Sequence, residues 1–503
     1  MHRKNRPLLH LYYNQGAPNV LFNSYEYILL FLPLVVLIYF SLNRLGYTNG
    51  AKAWLVLASW FFYSYWNPAY LPLLLSSILV NYGVGTLLRS QPWDDKVRRW
   101  VLIGGLAFNI GLLGYYKYAD FFITNLNAVA GTHFNLLHLL LPLGISFFTF
   151  QQIAFLVDTY QGKAREYKLL NYALFVSFFP QLVAGPIVHH SEMMGQFEDQ
   201  NNKRWIADNV ARGLFIFVMG LAKKVLIADT FGAWATYGFD TAPTLTFIEG
   251  WLTSLSYSLQ LYFDFSGYTD MAIGAALMFN IVLPINFFSP YKALSIQDFW
   301  RRWHMTLSRF LRDYIYIPLG GSRQSEFNTY RNTLITFLIG GLWHGAGWTF
   351  VFWGFLHGIA LVINRLWRKL NIDLPNWLSW FITFNFVNAA WVFFRAETWA
   401  DAIKVLRAMA GLSGFALPSF LADSLGWISS LGVSFQAQLL DGNLLVAAPA
   451  VLVFMIVVLT MRNSIQLKDS FRAGWGTAAV TIILAVASIL SLTRVSEFLY
   501  FNF

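Results

Sequence analysis

"GGLWHGAGW", residues 340–348, sets an imidazole between tryptophans and glycines in one of the most apolar parts of the chain. Titratable groups at membrane depth are costly and are kept for function. The stretch therefore asks whether the chain around it spans a membrane, and what His344 does there. The structural alternative is a histidine satisfied by a neighbouring carbonyl.

The surrounding sequence answers the first question. Of 503 residues, 57% are hydrophobic, 18% aromatic and 12% charged, and the mean hydropathy is +0.49. Soluble domains carry about 25% charged residues. Apolar runs recur over Ile28–Leu42, Leu71–Leu88, Leu102–Tyr116, Leu139–Leu156, Leu170–Val188, Trp251–Phe263, Trp377–Phe394, Leu444–Met461 and Ala478–Leu492. At about 20 residues per span, they predict an all-α polytopic membrane protein with roughly ten to twelve transmembrane or re-entrant helices. No 20–50-residue repeat and no pair of matching halves is visible. Three parts are expected: a polar N-terminal extension over 1–19, a membrane core over 20–375, and additional membrane helices over 376–503. The polar interruption at Leu412–Asn443 is expected at an interface or on the outer face.

The net charge is +10, but the basic residues cluster in short connections: Arg89, Lys96, Arg98 and Arg99; Lys163, Arg165 and Lys168; Arg365, Arg368 and Lys369; Arg462, Lys468 and Arg472. That pattern fits cytoplasmic loops against membrane lipid and not a nucleic-acid footprint. The basic start "MHRKNR" leaves the absolute topology open. Residues 1–19 do not read as a cleaved signal peptide, because the apolar run that follows continues as a membrane helix. Cysteine is absent, which excludes disulfides, cysteine metal sites and a thioester on the protein itself.

The stretch Lys292–Arg331 holds seven basic and three acidic residues. At 100° per residue, Asp298–Tyr314 sets Phe299, Trp303, Leu307, Phe310, Leu311 and Tyr314 on one face and Arg301, Arg302, Ser308, Arg309 and Arg312 on the other, an interfacial amphipathic helix. His304 falls at the edge of the apolar face. "YIPLGGSR" then turns the chain at Pro318 and Gly320–Gly321.

Each candidate has a plain reading beside its functional one. His344, with Trp343 and Trp348 able to wall a narrow passage, can accept a proton on one ring nitrogen while the other is oriented by a hydrogen bond. His304 can be an ordinary amphipathic side chain, or it can face a polar cavity. His357 reads as an interhelical hydrogen-bond residue, and His189 and His190 as loop residues. Asp264 and Asp270 read as partners of buried arginines or as helix caps before they read as orienters of a base. The arginines near His304 can meet lipid headgroups or the phosphates of a carrier. No metal-ligand spacing, P-loop, GxSxG elbow or HxxxxD pattern occurs. From the residues alone, an enzyme and a transporter both remain open.

Several long stretches in fixed order carry a family likeness: "YFDFSGYTDMAIG", "FWRRWHMTLSRFLRDYIYIPLGG" and "GGLWHGAGWTFVFWGFLHG", preceded by "PLGISFFTFQQIAFLVDTY" and "FPQLVAGPI". They resemble the membrane-bound O-acyltransferase family, in its bacterial branch of alginate O-acetylation membrane proteins. The likeness runs from about Val20 to His357, and the closing "FLYFNF" is similar to the end of many such chains. The resemblance implies a helical core around a central tunnel, with His344 and His304 as catalytic residues. It implies Trp303, Trp343 and Trp348 at the substrate passage and acetyl-CoA as the thioester donor, with no bound cofactor or metal. It further implies a multi-pass protein of the bacterial inner membrane. A periplasmic partner of the SGNH-hydrolase type would relay the acetyl group to an exported polysaccharide, alginate among others. A flippase for an acylated intermediate and a non-catalytic scaffold are the competing classes.

Overall fold

A backbone surrounded by lipid has no water to bond, so a spanning chain satisfies its N–H and C=O groups internally, as helix. The computed structural model describes residues 22–89, 94–164, 168–492 and 499, and it is predominantly helical. The extension expected over 1–19, Arg165, and "FLYFNF" apart from Leu499 lie outside the described residues. Among those described, the only strands are Phe415–Pro418 and Val433–Gln436, a parallel pair. They fall inside the polar interruption expected to leave the membrane.

Among the described residues, five helices are long and apolar enough to cross a membrane: Glu26–Arg44, Pro68–Arg89, Asp95–Ala130, Trp348–Lys369 and Asn376–Arg395. Leu444–Thr460 and Trp475–Leu490 are shorter apolar helices. The remaining core helices bury polar side chains such as Gln151, Gln152 and Asp264 together with their apolar ones. The central one, Phe247–Met278, has 32 residues and is buried along nearly all of them, a length of roughly 48 Å. It runs well beyond the expected Trp251–Phe263. Its start is capped by Glu249, whose carboxylate accepts the Thr246 N–H at 2.9 Å and the Leu440 N–H at 2.8 Å.

The central helix continues past Phe263 because a neighbour satisfies its polar residues. Helix Ala207–Ala222 lies against it so closely that a Cβ on Gly220 would stand 2.4 Å from the Gly267 carbonyl oxygen, and one on Gly274 would stand 2.5 Å from that of Gly213. Small residues spaced this way let two membrane helices meet backbone to backbone. A π-helical turn, Lys223–Ala228, follows and turns two consecutive lysines onto the central helix. Lys223 Nζ reaches Asp270 at 2.6 Å, and Lys224 Nζ reaches Asp264 at 2.6 Å and Asp229 at 2.8 Å. The partners of Asp264 and Asp270 are thus lysines, where arginines or helix ends were expected.

Two expected elements are broken. Leu170–Val188 divides into helices Leu169–Ser177 and Phe179–Leu182 followed by extended chain. Pro180 lacks the N–H that a continuing helix requires, and burial inside the protein tolerates the irregular backbone. The predicted amphipathic helix over 298–314 is two short helices, Ile296–Trp300 and Met305–Leu311, interrupted at His304. Phe299, Trp303, Leu307, Phe310 and Leu311 are nonetheless buried. The division expected at residue 375 precedes helix Asn376–Arg395, whose Trp391 and Phe394 lie in the core beside the histidines.

Because the Gly220–Gly267 contact leaves no room for a Cβ, Gly220→Val should cost several kcal/mol by forcing the helices apart. Melting of the detergent-solubilised protein should show a clear loss, while Gly111→Ala, with no atom within 4 Å of the added carbon, should leave the melting temperature within a degree or two.

Candidate active site

The histidine that opens the sequence ends a helix. Glu326–His344 and Trp348–Lys369 form an antiparallel hairpin joined by Gly345–Ala346–Gly347. Gly341 and Gly354 face one another, and a Cβ on Gly354 would sit 2.3 Å from the Phe337 carbonyl oxygen. The hairpin is therefore tight, and His344 sits at its closed end. Its ring lies among Trp343 at 4.9 Å, Trp353 at 5.2 Å and Phe394 at 5.1 Å between centroids.

His304 occupies the break in the neighbouring segment with φ +42°, a left-handed conformation. Non-glycine residues adopt it at a cost, and such strain gathers at functional sites. The residue is fully buried, not at an interfacial edge as expected. Asn286, on the extended chain after the central helix, holds the break together. Its carbonyl oxygen accepts the Met305 N–H at 3.0 Å, and its Oδ1 accepts the Thr306 N–H at 3.2 Å and the Thr306 hydroxyl at 3.0 Å. His304 Nδ1 stands 3.1 Å from the same Oδ1. A backbone N–H only donates, so the atom facing it is the amide oxygen, and the imidazole nitrogen facing that oxygen carries a proton. Neutral His304 is thereby fixed as the Nδ1–H tautomer with its lone pair on Nε2.

The two rings are 6.1 Å apart between centroids. His304 Nε2 and His344 Nδ1 are both buried without a hydrogen-bond partner among the described residues. That separation admits one hydrogen bond after a small ring rotation, or one bridging water. Two imidazoles with unspent nitrogens in an aromatic enclosure can hold and move a proton.

The tryptophans divide. Trp343 touches both histidines, at 4.9 Å from His344 and 6.1 Å from His304, and stacks on Phe150. Trp303 is buried in an aromatic layer with Phe299, Phe287 and Trp391. Trp348 is 55% exposed; its indole donates to Asn125 at 2.8 Å and it packs on Phe121, away from the histidine pair. His357 accepts the Trp300 indole N–H at 3.1 Å, the interhelical role expected of it. His189 sits apart, against Tyr314 and Asp158.

A cavity of about 1030 Å³ lies beside the segment that carries His304. Its inner wall includes Trp300, Met305 and Thr306, on either side of His304, and its outer wall carries Arg301, Arg309, Arg312, Arg365, Arg368 and Lys369 with no acidic residue. Arg309 is turned back by a bidentate pair with Glu192. Partial burial of the Glu192 carboxyl pushes its pKa up, but the Arg309 and His189 hydrogen bonds outweigh that and hold it below the usual carboxylate range. The contribution of this pair is therefore present above the ordinary carboxylate pKa and is lost as pH falls through the lowered one. Arg301 and Arg365 form no ion pair among the described residues, so positive charge is left facing the cavity.

A histidine pair enclosed by helices, in a chain with several helices long and apolar enough to cross a membrane, defines a polytopic membrane protein with a buried candidate site. Residues 159–396 match the model of the membrane-bound O-acyltransferase family. The chain is 49% identical to the peptidoglycan O-acetyltransferase of Helicobacter pylori, over 96% of this chain and 98% of that one. It is 38% identical to the probable alginate O-acetylase AlgI of Pseudomonas putida, over 96% and 100%. It is 30% identical to the teichoic acid D-alanyltransferase of Streptococcus thermophilus, over 50% and 68%. The chain belongs to the membrane-bound O-acyltransferase family and is a multi-pass membrane O-acyltransferase.

Sequence reasoning did not single out Asn286, Thr306, Trp353 or Phe394. Nothing about an asparagine in "LPINFFSP" distinguishes it, and Phe394 lies beyond the expected core boundary. Asn286→Ala should strand the Thr306 N–H and free the His304 ring. A loss of about 1–3 kcal/mol is expected, read as a lowered melting temperature in detergent.

Proposed function

We propose that the protein moves an acetyl group from acetyl-CoA on the cytoplasmic side to a hydroxyl on the far side of the bacterial inner membrane, for O-acetylation of an exported cell-envelope glycan. The observation that carries this reading is the buried histidine pair, with a cavity beside the His304 segment into whose wall Arg301 and Arg365 bring charge with no ion-pair partner among the described residues. Adenine-nucleotide thioesters carry phosphates, and guanidinium groups bind phosphates in bidentate fashion. Orientation rests on the same residues. The ends of the helices that bear Arg98, Arg309 and Arg368 meet through Arg98 to the Tyr160 carbonyl, Tyr314 to Asp158 and Arg368 to Gln297. Basic residues gathered on one face favour that face as cytoplasmic.

In the reaction, the C–S bond of the thioester breaks and a C–O ester bond forms at the acceptor hydroxyl. His344 takes the hydroxyl proton on its outward nitrogen and returns it to the leaving thiolate. His304, locked by Asn286 with its lone pair on Nε2, accepts from the other ring nitrogen of His344 and holds that tautomer, as an orienting group does behind a catalytic base. Trp343 shapes the passage beside both rings. The acceptor hydroxyl belongs to a periplasmic partner of the SGNH-hydrolase type, which passes the acetyl group to the glycan. The 49% relative over 96% of the chain supports peptidoglycan over alginate as the final acceptor.

Replacing His344 with Ala at equal membrane abundance should lower thioester-dependent ester formation by about 10²–10⁴-fold, measured as acetate released by mild alkali from purified peptidoglycan. Retention of the ester would remove His344 from the chemistry. Arg365→Gln combined with Arg368→Gln should instead raise the KM for acetyl-CoA several-fold with kcat little changed. An unchanged KM would move donor binding away from this cavity.

A further inference from the structure

Lys117 is a cation in the middle of the apolar span Asp95–Ala130, in a π-helical turn, Gly114–Tyr118. Such turns recur where a helix must re-aim a side chain for function. The buried lysines Lys52, Lys223 and Lys224 each face a carboxylate. Half-buried Lys117 forms no ion pair among the described residues. Its ammonium donates to the carbonyl oxygen of Trp343 at 2.5 Å, to that of His344 at 3.3 Å, and to the Ser146 hydroxyl at 3.1 Å. The next residue, Tyr118, donates its hydroxyl to the Leu342 carbonyl at 2.8 Å. Three consecutive carbonyls at the end of helix Glu326–His344 are thus taken by two consecutive side chains of another span. The indole of Trp343 leans on the same strut, its N–H 3.4 Å from the Ser146 carbonyl.

We propose that Lys117, seconded by Tyr118, is a positioning residue that clamps the last turn of the His344 helix and so fixes where the imidazole stands. The proposal rests on the reading of His344 as the proton acceptor. The last four carbonyls of a helix have no intrahelical donor, and the negative end of the helix dipole attracts a cation. In lipid an unclamped end would fray or turn toward other donors. His344 is the final residue of that end, immediately before the Gly345–Ala346–Gly347 turn, so where its backbone stands depends on how that last turn is held, while Trp353 and Phe394 pack on the ring itself. The clamp gives the lysine's donors a helix end instead of a carboxylate.

The test is a double-mutant cycle in the full-length protein, with turnover expressed per folded molecule after size-exclusion recovery. Lys117→Met should lower kcat by about 10–100-fold, the scale of a small displacement of a reacting group, with the KM for acetyl-CoA unchanged. Lys117→Arg, which keeps charge and donors, should recover most of the loss. In a His344→Ala background, Lys117→Met should cost nothing further. Normal kcat per folded Lys117→Met molecule would reduce Lys117 to a stability cap and overturn the proposal, as would an undiminished further loss in the His344→Ala background. Full activity of His344→Ala alone would instead overturn the reading on which the proposal rests. If Lys117→Met does not accumulate, Tyr118→Phe, which removes only the donor to Leu342, should lower kcat several-fold, and an unchanged kcat there would equally overturn the clamp.

Discussion

A helix that stops inside a membrane exposes carbonyls that neither lipid nor its own chain can satisfy, and the structure is organised around such an ending. Helix Glu326–His344 stops where its last carbonyls meet the donors of Lys117 and Tyr118. That ending sets the turn through Gly345–Ala346–Gly347 and the return of helix Trp348–Lys369. The return brings Trp353 over the imidazole. The same constraint governs the interruption at His304, where the helix breaks and Asn286 satisfies the freed backbone N–H groups of Met305 and Thr306. Irregular backbone survives at membrane depth only when protein groups bond it, so each histidine stands where a helix has been broken and repaired.

Glycine and aromatic residues make the repair possible. The seam of Gly213 and Gly220 against Gly267 and Gly274 brings two helices close enough for Lys223 and Lys224 to meet the acids of the central helix. Those pairs neutralise the most buried charges and let polar residues run through the core. Around the His304–His344 pair the walls are Phe265, Trp343, Trp353 and Phe394, which leave nitrogens unspent. A low-dielectric enclosure strengthens each hydrogen bond made inside it, which suits a site where one proton must move between few groups.

Much of the site was legible in the chain because its residues lie in long motifs of fixed order. His344 and Trp343 share the stretch "GGLWHGAGW", and their neighbourhood follows from one helix end. His304 was legible as a residue but not in its setting. Periodicity places it at the edge of a continuous amphipathic helix, whereas the backbone turns left-handed there and buries it completely. A helical wheel assumes helix and has no means of registering a break whose stabilising partner, Asn286, is 18 residues away. Trp348, close to His344 in the motif, points elsewhere because the turn after Gly345 starts a new helix on a different heading. Lys117 carried a signal, an isolated cation in an apolar span, but its purpose depends on residues more than 220 positions later.

By itself, the sequence determined that this is a helical membrane protein with a histidine in a glycine- and tryptophan-rich stretch, because apolar run length and low charge answer directly to lipid. It also determined the family likeness, since the motifs are contiguous. Only the tertiary structure decided which polar groups meet: the His304–Asn286 bond, the lysines that face Asp264 and Asp270, and the clamp on the end of the His344 helix. These contacts join residues on separate helices. In a membrane their pairing is set by how helices pack and where backbone groups need donors, and hydropathy along one chain does not encode that.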